Sequence, residues 1–314
     1  MELRQLRYFV AIVEHGSFSR AASKVHIAQS ALSHQIAQLE NELGATLFLR
    51  ARRGVTLTEA GAIFHVHALS ILRQVADAQA SVSSLLKSPS GRVIFGLPHS
   101  VSHALALPLI EAVRQALPQV ILELTEELTG NLAQQLQAGS LHLSILFDDG
   151  QLGDFLSESL VAERMSLIHQ PLRASAPKRH SVSFREALSR PLILPAQPHG
   201  VRPIIEDAAR KAGLPAPNVT ADISSISILR NSLLAGMGQT ILPVMPLKAE
   251  IESGLLSSLP IRAPAITRTV ALCRARHIPL STAAQAVSVV ARRVMRELCE
   301  KKIWVDANFI AAVE

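Results

Sequence analysis

Apolar residues recur at helical spacing from the first turn of the chain. Leu3, Leu6, Phe9, Val10 and Val13 predict an amphipathic helix from about Glu2 to Glu14, with one face in need of a partner. The partner follows in sequence. Between Ser17 and Gly44, Ser19 is placed to cap a short helix containing Ala21 and Ala22. Ser30 is placed to cap a second one, after a tight connection around His26 to Gln29. Ala22, Val25, Ile27, Leu32, Ile36, Leu39 and Leu43 supply one apolar face, and the adjacent alanines let helices cross closely. This is a helix-turn-helix pattern. Its second helix would expose Gln29, Ser30, Ser33, His34 and Gln38, side chains able to meet base edges in a major groove. The next segment, RARRGVTLT, joins a basic turn to the alternation of Val55 and Leu57 and reads as a small β-wing. There Arg50, Arg52 and Arg53 would contact phosphates or the minor groove. Each piece alone has a plainer explanation, in a polar helical bundle or a solvated basic run; their order within sixty residues does not.

From Thr58, a cap residue followed by Glu59, the positions Phe64, Ala68, Ile71, Val75, Ala78, Val82 and Leu85 step by four and three, the repeat of a coiled-coil seam. A helix from Thr58 to Leu86 would reach roughly 40 Å at about 1.5 Å per residue. Pairing with a second copy is the simplest use of so long a seam, which predicts a dimer with two reading heads. The alternative is a helix lying along the rest of the chain. Ser83, Ser84, Ser88, Pro89, Ser90 and Gly91 then mark a hinge.

Beyond the hinge, apolar runs alternate with helical patterns: Arg92–Leu97, Val101–Leu117, Val120–Leu124, Asn131–Ala138 and Leu141–Phe147, then a second set from Ser159 to Val244. Such alternation predicts α/β architecture in two lobes, with mainly parallel sheets covered by helices. Ligands in such folds gather where strands end and helices begin. Hydroxyls stand at three of these junctions: Ser100 and Ser102, Thr129, and Ser224, Ser225 and Ser227 around Ile226. A fourth junction carries Gln197, His199 and Gly200. Any one hydroxyl could merely cap its helix. Together they point to an anionic small molecule, a carboxylate-bearing metabolite or an inorganic anion.

A net charge of +6 suits a polyanionic partner without requiring one. The N-terminal residues lack the pattern of a secretory signal, and the oiliest stretch, Ser227 to Val244, contains Arg230, Asn231 and Gln239, so a cytoplasmic protein without a membrane partner is expected. Cys273 and Cys299 are too few for a disulfide framework and read as buried thiols. His99 and His103 lack a third metal ligand, and no phosphate loop, nucleophile elbow or dinucleotide turn appears. The reading is therefore a DNA-binding regulator without cofactor, metal or catalytic activity; the alternatives are an enzyme or a solute-binding protein using the α/β cleft.

The order of Leu6-Arg7-Tyr8-Phe9, Gly16-Ser17-Phe18, Ala21-Ala22, Gln29-Ser30-Ala31-Leu32-Ser33, Leu39-Glu40, Leu43-Gly44, Leu47-Phe48, Arg53 and Thr58-Glu59-Ala60-Gly61 resembles the LysR-type transcriptional regulators, densely across residues 1–65. Within that family it is most similar to the nitrogen assimilation control group. The resemblance implies a winged helix-turn-helix over 1–58, a linker and dimerisation helix with hinge over 59–90, and an effector-binding domain of periplasmic-binding-protein type over 91–314. In that domain, lobe I takes about 91–163 and 266–300, lobe II about 164–265, and 300–314 forms a tail outside the family pattern. It further implies a homotetramer, built as a dimer of dimers, that bends double-stranded promoter DNA and changes the bend when effector binds. Ser100 and Thr129 match positions that commonly touch effector in the family. His34 departs from the Gln, Arg or Lys that often stands there, so the DNA sequence read does not carry over.

Overall fold

The computed structural model describes the chain apart from residues 52–53, 85–87, 149, 151, 172–178, 197–199 and 311–314, and the side chains of 50, 51, 83 and 84. It divides into two compact units. One is Met1–Lys87 with Ala138–Ser140; the other is Ser88–Gln137 with Leu141–Glu314.

The first unit contains α1 (Leu3–His15), α2 (Phe18–Lys24), α3 (Gln29–Leu43), β1 (Phe48–Ala51), β2 (Gly54–Leu57) and α4 (Glu59–Ser84). The Glu2 N–H donates to Gln5 Oε1 at 2.8 Å at the start of α1, and Gly16 ends the helix in the left-handed region at φ 59°. Capping differs from expectation at two helices. Ser17, not Ser19, caps α2, its Oγ accepting from the Arg20 N–H. For α3 the cap position is Ala28, which makes no side-chain cap, and Ser30 lies inside the first turn. The reason lies in the connection: His26 at φ 57° turns the chain so tightly that the helix begins earlier than the hydroxyl suggests.

Phe9 is the hub of this unit. Its ring lies 5.0 Å from both Phe48 and Phe64, within a core that includes Leu6, Ile12, Ala21, Leu32, Ile36 and Leu39. Val25 and Ile27 are half-buried, but Leu43, expected with them, is exposed. β1 and β2 pair antiparallel, Phe48 opposite Leu57 through Ala51 opposite Gly54, and the Val55 N–H donates to Gly16 O at 3.1 Å, tying the hairpin to the end of α1. Thr58 caps α4 as expected, its Oγ1 accepting from the Gly61 N–H at 2.9 Å.

The second unit runs β3 (Gly91–Pro98), α5 (His99–Ala116), β4 (Val120–Glu127), α6 (Thr129–Gln137), β5 (Leu143–Asp148), β6 (Phe155–Arg164), β7 (Ser166–His169), β8 (Val182–Ser183), α7 (Phe184–Ser189), β9 (Leu192–Leu194), α8 (Arg202–Lys211), β10 (Val219–Asp222), α9 (Ile226–Leu234), β11 (Thr240–Leu242), α10 (Lys248–Glu252), β12 (Ser257–Arg262), β13 (Thr267–Ala275), α11 (Thr282–Glu300) and β14 (Ala307–Phe309). Two separate apolar cores define two lobes. One joins β3, α5, β5, β6, β13 and α11; the other joins β7, α7, β9, α8, α9, β11 and β12. The chain crosses between them after β6 and again before β13.

The sheets are mixed and not mainly parallel. In the first lobe the order is β14-β6-β13-β5-β3-β4, with β3 parallel to β4 and β5 but β13 antiparallel to β5 and β6. In the second lobe β7 runs antiparallel to β11 and β12, while β9 and β10 are parallel. A strand that returns from the other lobe enters from the opposite end of the sheet, so it must run against its neighbours. The C-terminal residues are part of the first lobe: Trp304 is buried in its core and β14 extends its sheet along β6. Among the described residues no helix is long and apolar enough to cross a membrane.

The join between hairpin and linker helix explains the glycine of Thr58-Glu59-Ala60-Gly61. A methyl at Gly61 would stand 2.1 Å from Leu47 O and 3.0 Å from Leu57 Cδ2. Gly61→Ala is expected to cost about 1–3 kcal/mol through overpacking, read as a lower denaturation midpoint; an unchanged midpoint would mean that α4 draws back from β1 freely.

Candidate nucleic-acid interface and ligand cleft

On α3, Leu32, Ile36 and Leu39 form the buried stripe. At about 100° per residue, Ser30, His34 and Gln38 fall on the opposite half of the helix and Ser33 at its border, whereas Gln29, the first residue of the helix, lies nearer the buried stripe. Gln29, Ser30, His34 and Gln38 are exposed and Ser33 is half-buried. Two of the amides are pre-oriented: Gln29 Oε1 accepts from Ser19 Oγ at 3.0 Å, and Gln38 Oε1 accepts from Gln35 Nε2 at 3.2 Å. Glu40, near the C-terminal end of the helix, accepts from the Leu47 N–H at 2.7 Å and the Phe48 N–H at 3.3 Å, and so fixes where the hairpin begins relative to α3. Arg50 belongs to β1, its side chain undescribed, and Arg52 and Arg53 lie outside the described residues.

The expected seam of α4 is corrected in its first half. Ala68 is fully buried and Phe64 and Ile71 pack beside it on Phe9 and its neighbours, because α1 needs a cover and α4 supplies it. Val75 is half-buried, Ala78 and Val82 are exposed, and Leu85 lies outside the described residues. Of the two α4 histidines, His67 is exposed and His65 sits half-buried beside Phe9. Partial desolvation holds its pKa below the ordinary histidine value, against the opposing pull of Glu14.

Between the lobes lie two adjoining spaces. A small cavity of about 50 Å³ is lined by Pro98, Ser100, Glu127, Thr129, Phe147, Ser224, Ile226 and Arg268, among others. It sits where β3, β4, β5 and β11 end and where α5, α6 and α9 begin, the location that the strand-and-helix rule expects. A larger cleft of about 700 Å³ shares His99 and Ile226 with it and is lined by His103, Glu126, Ser225, Ser227, Arg230, Lys248, Glu250 and Glu252. Its charges are largely paired: Arg230 with Glu250, Lys248 with Glu252 at 3.7 Å, and His99 Nδ1 with Glu126 at 3.3 Å.

Of the expected ligand residues, Ser100, Thr129 and Ile226 meet at the small cavity, and Ser225 lines the larger cleft while capping α9. Ser102 is on neither wall. Its hydroxyl donates to Glu126 Oε1 at 2.5 Å, because a residue in the first turn of α5 faces the neighbouring β4. Gln197 and His199 lie outside the described residues. The residue that sequence reasoning missed is Arg268, one strand position into β13. Nothing local marks it, since its place depends on the second crossing of the chain.

The family described as bacterial regulatory helix-turn-helix protein, lysR family, matches residues 3–62, and the LysR substrate binding domain matches residues 87–296. The chain belongs to the LysR family of transcription regulators. It is 34% identical to the nitrogen assimilation regulatory protein nac of Klebsiella aerogenes, over 92% of this chain and 94% of that one. It is 31% identical to the hydrogen peroxide-inducible genes activator of Pectobacterium carotovorum subsp. carotovorum, over 89% and 92%. The crystal structure of full-length CbnR complexed with its target DNA covers 94% of this chain and all of its own, with a TM-score of 0.69 at 20% identity, a likeness of fold.

As a LysR-type protein the chain is a DNA-binding transcription regulator with an effector-binding domain. Its two thiols are chemically quiet. Burial pushes both Cys273 and Cys299 up to about 12, with help from Asp148 for the first and Glu163 for the second. A thiol reacts through its thiolate. In native protein at pH 8, iodoacetamide is therefore expected to alkylate neither cysteine within the time that unfolded chain reacts fully, as read by intact mass; rapid labelling of the folded protein would refute this.

Proposed function

We propose that this LysR-type regulator reads a two-fold promoter site as a dimer, paired further into a tetramer, and that a small anion held between the lobes alters how it bends the DNA. The observation that carries the effector half is the small cavity, whose walls come from both lobes. An occupant touching both walls binds best at one lobe separation and so shifts the population toward it. The DNA half rests on α3, whose polar face of Gln29, Ser30, Ser33, His34 and Gln38 is free because its other face is buried in its own unit. Arg50, Arg52 and Arg53 of the hairpin supply phosphate contacts. Pairing uses the part of α4 beyond its cover over α1, through Val75, Ala78, Val82 and Leu85. The quiet thiols argue against peroxide as the signal, despite the name of one relative.

Mapping the genomic DNA bound in cells tests the whole reading, with nitrogen-assimilation promoters the first to inspect given the first relative's name. Bound regions without a shared two-fold motif would sink it. Four variants test the parts. His34→Ala is expected to weaken binding to the preferred site by about 1–3 kcal/mol while leaving random DNA unaffected; equal loss on both would remove His34 from base reading. Arg52→Ala and Arg53→Ala are each expected to lower the slope of log K against log salt by about one, so an unchanged slope would take them off the phosphates. Val75→Asp with Val82→Asp should yield lighter particles by light scattering; an unchanged mass means another surface pairs the copies.

A further inference from the structure

The start of a helix marks a cap before it marks a site, so α5, α6 and α9 meeting at the small cavity do not by themselves define what fills it. Arg268 does. The residue is 2% exposed and lines the cavity. Its Nε donates to Glu163 Oε2 at 2.6 Å, and its guanidinium carbon lies 3.9 Å from the centre of the Phe147 ring. Its Nη2 has no hydrogen-bond partner among the described residues. A buried N–H of a charged group left without an acceptor is costly, and such groups persist where something else completes them.

The charge balance defines the occupant further. Glu163 cancels Arg268, and Glu127, also on the wall, is held by Asn131 Nδ2 at 3.1 Å. Three helix starts each contribute about half a positive charge. Glu127 keeps its own charge, because its partner amide is neutral, so the wall is left with about half a positive charge and accommodates at most one negative charge. A cavity of about 50 Å³ takes a carboxylate group and little more, while the adjoining cleft of about 700 Å³, with paired charges of both signs, has room for a polar body.

We infer that Arg268 is the anion-recognising residue of this regulator, its free Nη2 taking the carboxylate head of a small monoanionic metabolite whose body lies in the larger cleft. The inference rests on the reading of the lobe cleft as the effector site. Glu163 is a positioning residue: on β6, directly opposite Arg268 on β13, it accepts from Arg268 with one oxygen and from Trp304 Nε1 with the other, at 2.7 Å. Trp304 is the single tryptophan of the chain, so its emission reports on this group.

The test is titration of the full-length protein with sodium acetate, against sodium chloride at matched ionic strength, followed by Trp304 emission. Acetate is expected to give a saturable change that chloride does not. Arg268→Lys, which keeps a cation beside Glu163 but loses the fork, should weaken acetate about tenfold while the protein stays folded by circular dichroism. If that variant does not fold, the paired change Arg268→Met with Glu163→Met removes both charges together, a replacement that buried pairs commonly tolerate, and should abolish the acetate response. Acetate indistinguishable from chloride, or either folded variant binding acetate as the native protein does, overturns the inference. Such a failure is separable from failure of the cleft reading. If a neutral or cationic metabolite still alters the DNA footprint, the cleft stands and only its anion preference falls.

Discussion

The buried ion pair between Glu163 and Arg268 sits at the place where the effector domain is joined to itself. Glu163 is the last residue but one of β6 before the chain leaves the first lobe, and Arg268 is the second residue of β13 after it returns. Around them the backbone is stitched across both crossings: the Met165 N–H donates to Ile266 O at 2.8 Å and the Arg164 N–H to Asp306 O at 2.9 Å. Trp304 packs under the pair and donates to it, which brings β14 alongside β6. Removing one member of such a pair costs about 3–5 kcal/mol, because the other is left charged and dry, whereas replacing both by apolar groups is often neutral. The pair therefore adds little net stability. Its effect is to hold three strands in one register at the hinge and to place a guanidinium on the wall of the small cavity.

In the first unit Phe9 has the corresponding role, and packing on one side determines what is available on the other. The first half of α4 covers α1 with Phe64, Ala68 and Ile71, while Ile63, Val66 and Leu69 on its other side stay exposed. Likewise the burial of Leu32, Ile36 and Leu39 turns His34 and Ser30 outward, and Glu40 ties the hairpin to the same helix. The reading helix and the hairpin are thus set relative to one another by one carboxylate.

The two spaces between the lobes divide the chemistry of recognition. The larger cleft is polar but internally neutralised, which suits a body with several hydrogen-bonding groups. The small cavity has on its wall Arg268, whose buried Nη2 has no hydrogen-bond partner among the described residues. Lobe separation, ligand charge and strand register are therefore coupled through a few atoms around Arg268.

Periodicity alone determined the helix-turn-helix, the hairpin, the long helix and the alternation of strands and helices, because these depend on contacts a few residues apart. It also located the hydroxyl-bearing junctions at which Ser100, Thr129 and Ile226 converge. Local signals did not decide which partner an apolar stripe would meet. Phe64, Ala68 and Ile71 have a coiled-coil spacing yet pack on their own unit, and Ser30 has the chemistry of a cap yet yields to the turn at His26. Strand direction was equally illegible: β13 runs against its neighbours because of where the chain re-enters the lobe, and β14, reached through α11, runs against β6. Arg268, Glu163 and Trp304 are separated by 105 and 141 positions from one another's hydrogen-bonding partners. Only a closed tertiary structure, with both crossings made, could bring a lone arginine, a carboxylate and a C-terminal indole to one point and leave one guanidinium nitrogen without a partner among the described residues.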